Sequence, residues 1–219
     1  MNNLKNIVKD DVSKFLWNLK ELLFNERDLQ MQLAVYLRGT EHYDDVDVEY
    51  YVPQTVFGDA YLWNSQLYLD IVVRKGKEFF PIELKYKTQK ITTDLPRFNE
   101  ALQNVDIVKN HGAQDLGMYD YWKDIHRIEM VRNRFVAVKN GLAVFMTNDD
   151  KYIRKGKDTS NHILFDMTEG SHSIQKHWLN DKAKSAKGRP NFDVEQCYFI
   201  KWNDRIIEGH SFYFCMVEI

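Results

Sequence analysis

From Leu67 to Lys87 the chain reads LYLDIVVRKGKEFFPIELKYK, two alternating runs separated by a glycine. Leu67, Leu69, Ile71 and Val73 alternate with Tyr68, Asp70, Val72 and Arg74. Phe80, Ile82, Leu84 and Tyr86 then alternate with Phe79, Pro81, Glu83 and Lys85. A period of two on both sides of a glycine predicts a β-hairpin. A two-residue turn at Gly76-Lys77, glycine first, pairs Lys75 with Glu78 and places Asp70 opposite Glu83. A turn at Lys75-Gly76 would leave the two acids diagonal but still on one face. Only a one-residue slip separates them, and that slip exposes the apolar set. Both carboxylates therefore share a face, with Lys85 beside them.

Like charges facing each other across strands are destabilising, by about 0.2–1 kcal/mol on the scale of cross-strand pairs. A cation between them removes that cost. A hard divalent ion such as Mg²⁺ suits carboxylate and phosphate oxygens. Lys85, its pKa depressed by the ion, is then placed to take or orient a proton of a bound water.

Asp70, twelve residues, then Glu83-Leu84-Lys85 at the end of an apolar strand resembles the motif of the PD-(D/E)XK nuclease superfamily, with Ile-Glu-Leu-Lys as its second half. Leu69 stands where the name has proline. The resemblance spans residues 25–148 and implies an α/β, restriction-endonuclease-like core of helix, three-stranded meander, helix and strand. Residues 1–24 would precede it as a helical segment, and 149–219 would follow as an extension ending in a β-hairpin, the whole forming a single domain. It implies a Mg²⁺-dependent phosphodiesterase, with Mn²⁺ as a substitute, that hydrolyses DNA to leave a 5′-phosphate. Asp70, Glu83 and the Leu84 carbonyl would hold the metal and Lys85 would serve the water. Duplex cutting by this fold often uses two active sites, so a homodimer is among the expectations. The alternative is an inactive nucleic-acid-binding or structural module of the same fold.

Other residues are placed around this centre. Asn25 reads as an N-cap for a helix to about Arg38 with a Leu29, Leu33, Leu37 stripe. Glu26 lies on that stripe. By the resemblance it joins the metal shell and the catalytic set; as an acid in a first turn it also complements the helix dipole. Gln30 is a secondary candidate, and Glu49, on a strand from Val46 to Val52, is either an outer-shell group or solvated. Lys87 shares the parity of Glu83 and Lys85 and either points toward a substrate backbone, if the strand continues that far, or is an ordinary exposed lysine. Gly112 to Arg134 reads as a long helix with Leu116, Tyr119, Trp122, Ile125 and Ile128 as its packing stripe. On it, Lys123 and Arg127 either grip phosphates or pair with Asp120, Asp124 and Glu129 at the surface. Gln114 is assigned to the substrate site by the resemblance alone. Asp149-Asp150-Lys151 repeats the acid-x-Lys pattern but lacks an upstream acidic strand, and reads as a turn.

The remainder is read from local pattern. Residues 4–23 form one helix, or two broken near Asp10-Asp11. Residues 88–111 form a lid-like loop with a short helix. Phe135 to Thr147 forms a strand, buried at Leu142 to Met146. Residues 174–179 are helical, and Tyr198–Trp202 and His210–Val217 pair around Asn203-Asp204. Lys182, Lys184, Lys187 and Arg189 lie on a loop that is either solvated or in contact with a nucleic-acid backbone.

A net charge of −2 argues against coating nucleic acid by bulk positive potential, so a local basic groove is required. Cys197 and Cys215, in apolar runs without ligand spacing, are expected as buried thiols in a reducing compartment. No stretch is apolar enough to span a membrane and MNNLKNIVKDD lacks an apolar leader, which together predict a cytoplasmic protein.

Overall fold

The computed structural model describes residues 3–219 and shows a mixed α/β chain built on a mixed sheet. Helices α1 (Leu4–Asn18), α2 (Glu26–Gly39) and α3 (Gln114–Arg134) accompany strands β1 (Asp45–Val52), β2 (Leu67–Lys75), β3 (Glu78–Lys87), β4 (Ile91–Arg97), β5 (Glu100–Val108) and β6 (Leu142–Thr147). Six further strands follow: β7 (Gly170–His172), β8 (Gln175–Lys176), β9 (Phe192–Asp193), β10 (Tyr198–Ile200), β11 (Trp202–Ile207) and β12 (His210–Glu218). The main sheet runs β1-β2-β3-β6-β12-β11. Only the β3–β6 pair in it is parallel.

Helices α1 and α2 cover one face, where Ile71, Val73, Ile82, Leu84, Val144 and Phe214 form the core. Helix α3 covers the other, packing Tyr121, Trp122, Ile125 and Ile128 with Ala143, Phe145 and Cys215. Every residue of β6 is buried, as its unbroken apolar run requires between two covered faces. Asn25 caps α2 by accepting from the Asp28 amide, while the Asp28 carboxylate accepts from the Phe24 amide, a reciprocal pair that fixes where the helix begins.

Several elements differ from the pattern-based expectation. Residues 4–23 hold one unbroken helix, as one of the two readings had it, but it ends at Asn18; within it buried Asp11 accepts from the Tyr43 hydroxyl and contacts His42 Nδ1. Residues 88–111 hold no helix; β4 and β5 form a hairpin turned by Phe98 and Asn99 at φ 52° and 68°. Pro96 is tolerated there because each strand of a two-stranded ribbon has a free edge. Residues 174–179 are extended, with Lys176 and Trp178 turned inward and Gln175 exposed. The last hairpin turns at Glu208-Gly209, not Asn203-Asp204, which lie within β11. Strand β12 inserts beside β6, so the C-terminal hairpin is part of the central sheet. Phe135 to Val138 make a turn before β6, with one bridge from Val138 to Phe79. Cys215 is buried, and burial pushes its thiol up to about 12; Cys197, contrary to expectation, is exposed. Among the described residues no helix is long and apolar enough to cross a membrane.

Candidate active site at a forked strand pair

Strands β2 and β3 pair from Lys75–Glu78, around Gly76 at φ 60°, up to Ile71–Ile82. The same register brings Asp70 opposite Glu83, and there the two strands part. Beyond that point β2 stays with β1, through Leu69–Tyr50 and Leu67–Val52, while β3 stays with β6, through Glu83–Ala143 and Lys85–Phe145. The ribbon twists as it leaves. Ile71 and Val73 pack with α1 and α2, whereas Leu67 and Leu69, of the same parity, pack in the α3-side core. Between Val48–Ile71 and Tyr50–Leu69, the β1 residue at the twist is Glu49, which adopts φ 52°. Gln30 Nε2 holds the bend by donating to the Asp70 carbonyl at 2.7 Å and to Glu49 Oε1 at 3.1 Å.

The fork leaves one edge of β3 without a strand partner, and side chains take its place. Asp70 Oδ2 accepts from the Leu84 amide at 2.6 Å, Glu26 Oε2 accepts from the Tyr86 amide at 2.8 Å, and His111 Nδ1 accepts from the Thr88 amide at 3.2 Å. The Leu84 carbonyl opens toward the same notch and accepts from Lys85 Nζ at 3.1 Å. The acids are thus anchored by the geometry that opens the notch.

Helix α3 closes it from above. Asp124, buried, places Oδ2 at 2.5 Å from Lys85 Nζ and Oδ1 at 3.5 Å from Arg127 Nη1. Arg127 is itself fixed by the Tyr61 hydroxyl at 2.8 Å and Ser65 Oγ at 2.9 Å. Glu26 Oε1 lies 3.9 Å from Lys85 Nζ. Glu83 is 3 % exposed and its Oε1 has no hydrogen-bond partner. Four carboxylates, Glu26, Asp70, Glu83 and Asp124, therefore face two cations, Lys85 and Arg127.

That imbalance governs protonation. Burial, with Asp124 and Glu26 nearby, pushes Asp70 up to about 6 against the opposing pull of Lys85. Burial, then Asp124 and Asp70, hold Glu83 well above the usual carboxylate range. Burial works to lower Lys85, but Asp124, Glu26, Asp70 and Glu83 outweigh it and keep the ammonium well above its ordinary value. With these acids around it and no ion between them, Lys85 is a charged donor; the depressed amine is the expectation for the metal-bound site.

Asp70, Glu83, Lys85, Glu26 and the Leu84 carbonyl meet at the fork. Lys87 lies on the same face, half-buried at the end of β3. Arg127 is engaged by Asp124, Tyr61 and Ser65 and is not free to grip a phosphate. Lys123 faces a neighbouring cleft. Gln114 is elsewhere, since its Nε2 donates to Asp149 Oδ2 at 2.7 Å, where Gln89 also binds. Asp149 caps a turn at 150–152 through the Lys151 amide. Glu49 is exposed and serves the twist through Gln30. Asp124 was read from sequence only as a surface partner of Lys123 and Arg127. Its spacing from Tyr121 and Ile128, three before and four after, puts it on the buried side of α3.

Among the described residues no three His, Cys, Asp or Glu side chains are grouped as a ready metal cage. The donor chemistry nonetheless suits a hard divalent cation: Asp70, Glu83 and Glu26 offer carboxylate oxygens, and Glu83 Oε1 is bound by no hydrogen-bond donor. No protein-family model matches the chain, and no curated protein or solved structure is detectably similar to it.

Proposed function

We propose that the chain is a divalent-metal-dependent nuclease acting on DNA, and that α2, β1 to β3, α3 and β6 form a restriction-endonuclease-like core. The observation that carries this reading is the fork itself. Asp70 and Glu83 come from two strands that separate at that level, on the face that also carries Lys85, and acids outnumber cations there, so that Asp70 and Glu83 hold their protons more tightly than ordinary carboxyls. A structural ion-pair ladder would be expected to balance its charges. Asp70, Glu83 and the Leu84 carbonyl, with Glu26 beside them, would hold Mg²⁺, which when bound polarises a phosphoryl oxygen and acidifies water.

The chain's own residues supply the rest. Lys85, held charged, donates to a phosphoryl oxygen or orients the attacking water. Asp124 positions that ammonium from α3. Glu26 and Asp70, tied to β3 amides, keep the ligands in fixed register with Lys85. Attack of water on phosphorus breaks the P–O3′ bond; the proton the water gives up passes to solvent, and the leaving 3′-alkoxide takes one up from solvent. A second reading, a binding module without turnover, is favoured by the tight Lys85–Asp124 pair, which occupies the notch.

The test is cutting of supercoiled and single-stranded DNA with Mg²⁺ or Mn²⁺ by wild type, Asp70→Asn and Lys85→Met. Metal-dependent cutting by wild type that both variants lose supports the nuclease. Binding without cutting under any metal supports the module and ends the nuclease reading.

A further inference from the structure

Beside the fork, on the other side of Lys123, lies an open cleft of about 740 Å³. One wall is Ser65, Trp63 and Lys123; the other, from the segment before β9, includes Lys187 and Arg189. Its lining is more polar than apolar, unlike the apolar pockets that hold uncharged small molecules. Two of the cations, Lys123 and Arg189, are held in place. Lys123, its side chain 17 % exposed, sits 5.9 Å over the Trp63 ring and reaches its nearest acid, Asp120, only at 3.9 Å. Arg189 Nη1 donates to the Ser185 and Lys187 carbonyls, bracing the loop that presents Lys187. Asp120 and Asp181 also border the cleft, so it is not uniformly basic.

Two features link the cleft to the fork. Ser65, on its wall, accepts from Arg127, whose guanidinium faces Asp124, the partner of Lys85. Lys123 adjoins Asp124 in the chain, and its ammonium is held below its ordinary value by burial and by Arg127. A cation that is partly desolvated beside another cation gains from an arriving anion.

We propose that this cleft binds a backbone phosphate of the DNA flanking the bond to be cut, with Lys123 and Lys187 as its ligands from opposite walls. The choice of DNA rests on the nuclease reading; the anion site rests on the cleft. The segment around Lys187, which the sequence left open between a solvated loop and a nucleic-acid contact, thereby becomes half of a substrate groove. Charge-assisted contacts of this kind place the strand without reading its sequence.

The experiment measures binding of 3′-labelled DNA by fluorescence anisotropy in EDTA, so that no cutting occurs, across a salt series. Each ligand lost should flatten the dependence of log affinity on log salt by about 0.9 for duplex and about 0.7 for single strands. Lys123→Gln and Lys187→Gln should each do so and the double variant should do both, whereas Lys139→Gln, exposed near the β2–β3 turn, should not. Because Lys187 is exposed, its variant carries the test even if Lys123→Gln folds poorly. Oligonucleotides with a 5′-phosphate or a 5′-hydroxyl, and a circular single strand, distinguish a terminal from an internal phosphate. A slope unchanged in Lys187→Gln and in the double variant overturns the cleft while leaving the cutting result standing. A flattened slope in a protein that never cuts supports the cleft and defeats only the nuclease.

Discussion

Replacing Asp70 by asparagine should make the protein more stable, and only above a definite pH. Asp70 titrates near 6 in the fold against 3.8 when unperturbed, chiefly because it is buried among other acids. A folded-state pKa above the unfolded one means that the native state binds the proton more tightly. The resulting stabilisation is full below about pH 4 and is lost as pH rises through 6. A shift of that size corresponds to roughly 3 kcal/mol at pH 8. Asparagine keeps an oxygen that can accept from the Leu84 amide and removes the charge. At about 2–4 °C per kcal/mol for a chain of this length, Asp70→Asn should melt roughly 6–12 °C above wild type at pH 8. Near pH 4 the two should coincide. The assay is thermal denaturation by circular dichroism in EDTA at several pH values. Saturating Mg²⁺ should raise the wild-type midpoint at pH 8 and narrow the gap, since a ligand of the native state stabilises it by mass action. An asparagine variant less stable than wild type at pH 8, or a gap that is the same at pH 4, would refute the account of a notch overloaded with negative charge.

Two other substitutions probe the packing around the notch. Lys85→Met leaves buried Asp124 with only Arg127 at 3.5 Å and should cost about 3–5 kcal/mol in urea unfolding at pH 7. Asp124→Asn in that background should recover much of the loss, and additive energies in the double-mutant cycle would show that the pair does not interact. In Gly117→Ala the new Cβ would lie 2.3 Å from the Tyr152 hydroxyl oxygen, so the buried Tyr152 ring or α3 must shift, at about 1–3 kcal/mol. Tyr152→Phe removes that oxygen, which has no hydrogen-bond partner, and should restore part of the stability measured by the same unfolding curves.

The central hairpin was legible because strand periodicity and Gly76 together leave two registers, both with Asp70 and Glu83 on one face, and the structure takes the one that brings Asp70 to the level of Glu83. The Asn25 cap and the inward Glu26 were legible for the same local reason. What escaped depends on distant parts of the chain. Asp124 reaches Lys85 because of how α3 lies across β3, and no spacing within the helix states which strand it will meet. The protonation of Lys85 follows from four acids drawn from α2, β2, β3 and α3. Strand β12 reaches β6 across more than sixty residues that hold only short strands and turns before β11, a pairing that local pattern does not encode. The β4–β5 hairpin escaped because Pro96 interrupts the strand pattern, which a lone ribbon accommodates.

The row of amides on the free edge of β3 has a consequence for the protein's life in solution. An uncovered strand margin is a template on which a foreign chain can polymerise. Here Asp70, Glu26 and His111 occupy those donors in turn, so the molecule opens a hollow in the middle of its sheet without offering a seed for fibres. Alanine substitutions at these positions should therefore raise the tendency to aggregate and, at Asp70 and Glu26, also remove the proposed nuclease activity. Asparagine or glutamine, which retain an acceptor, would separate the two effects.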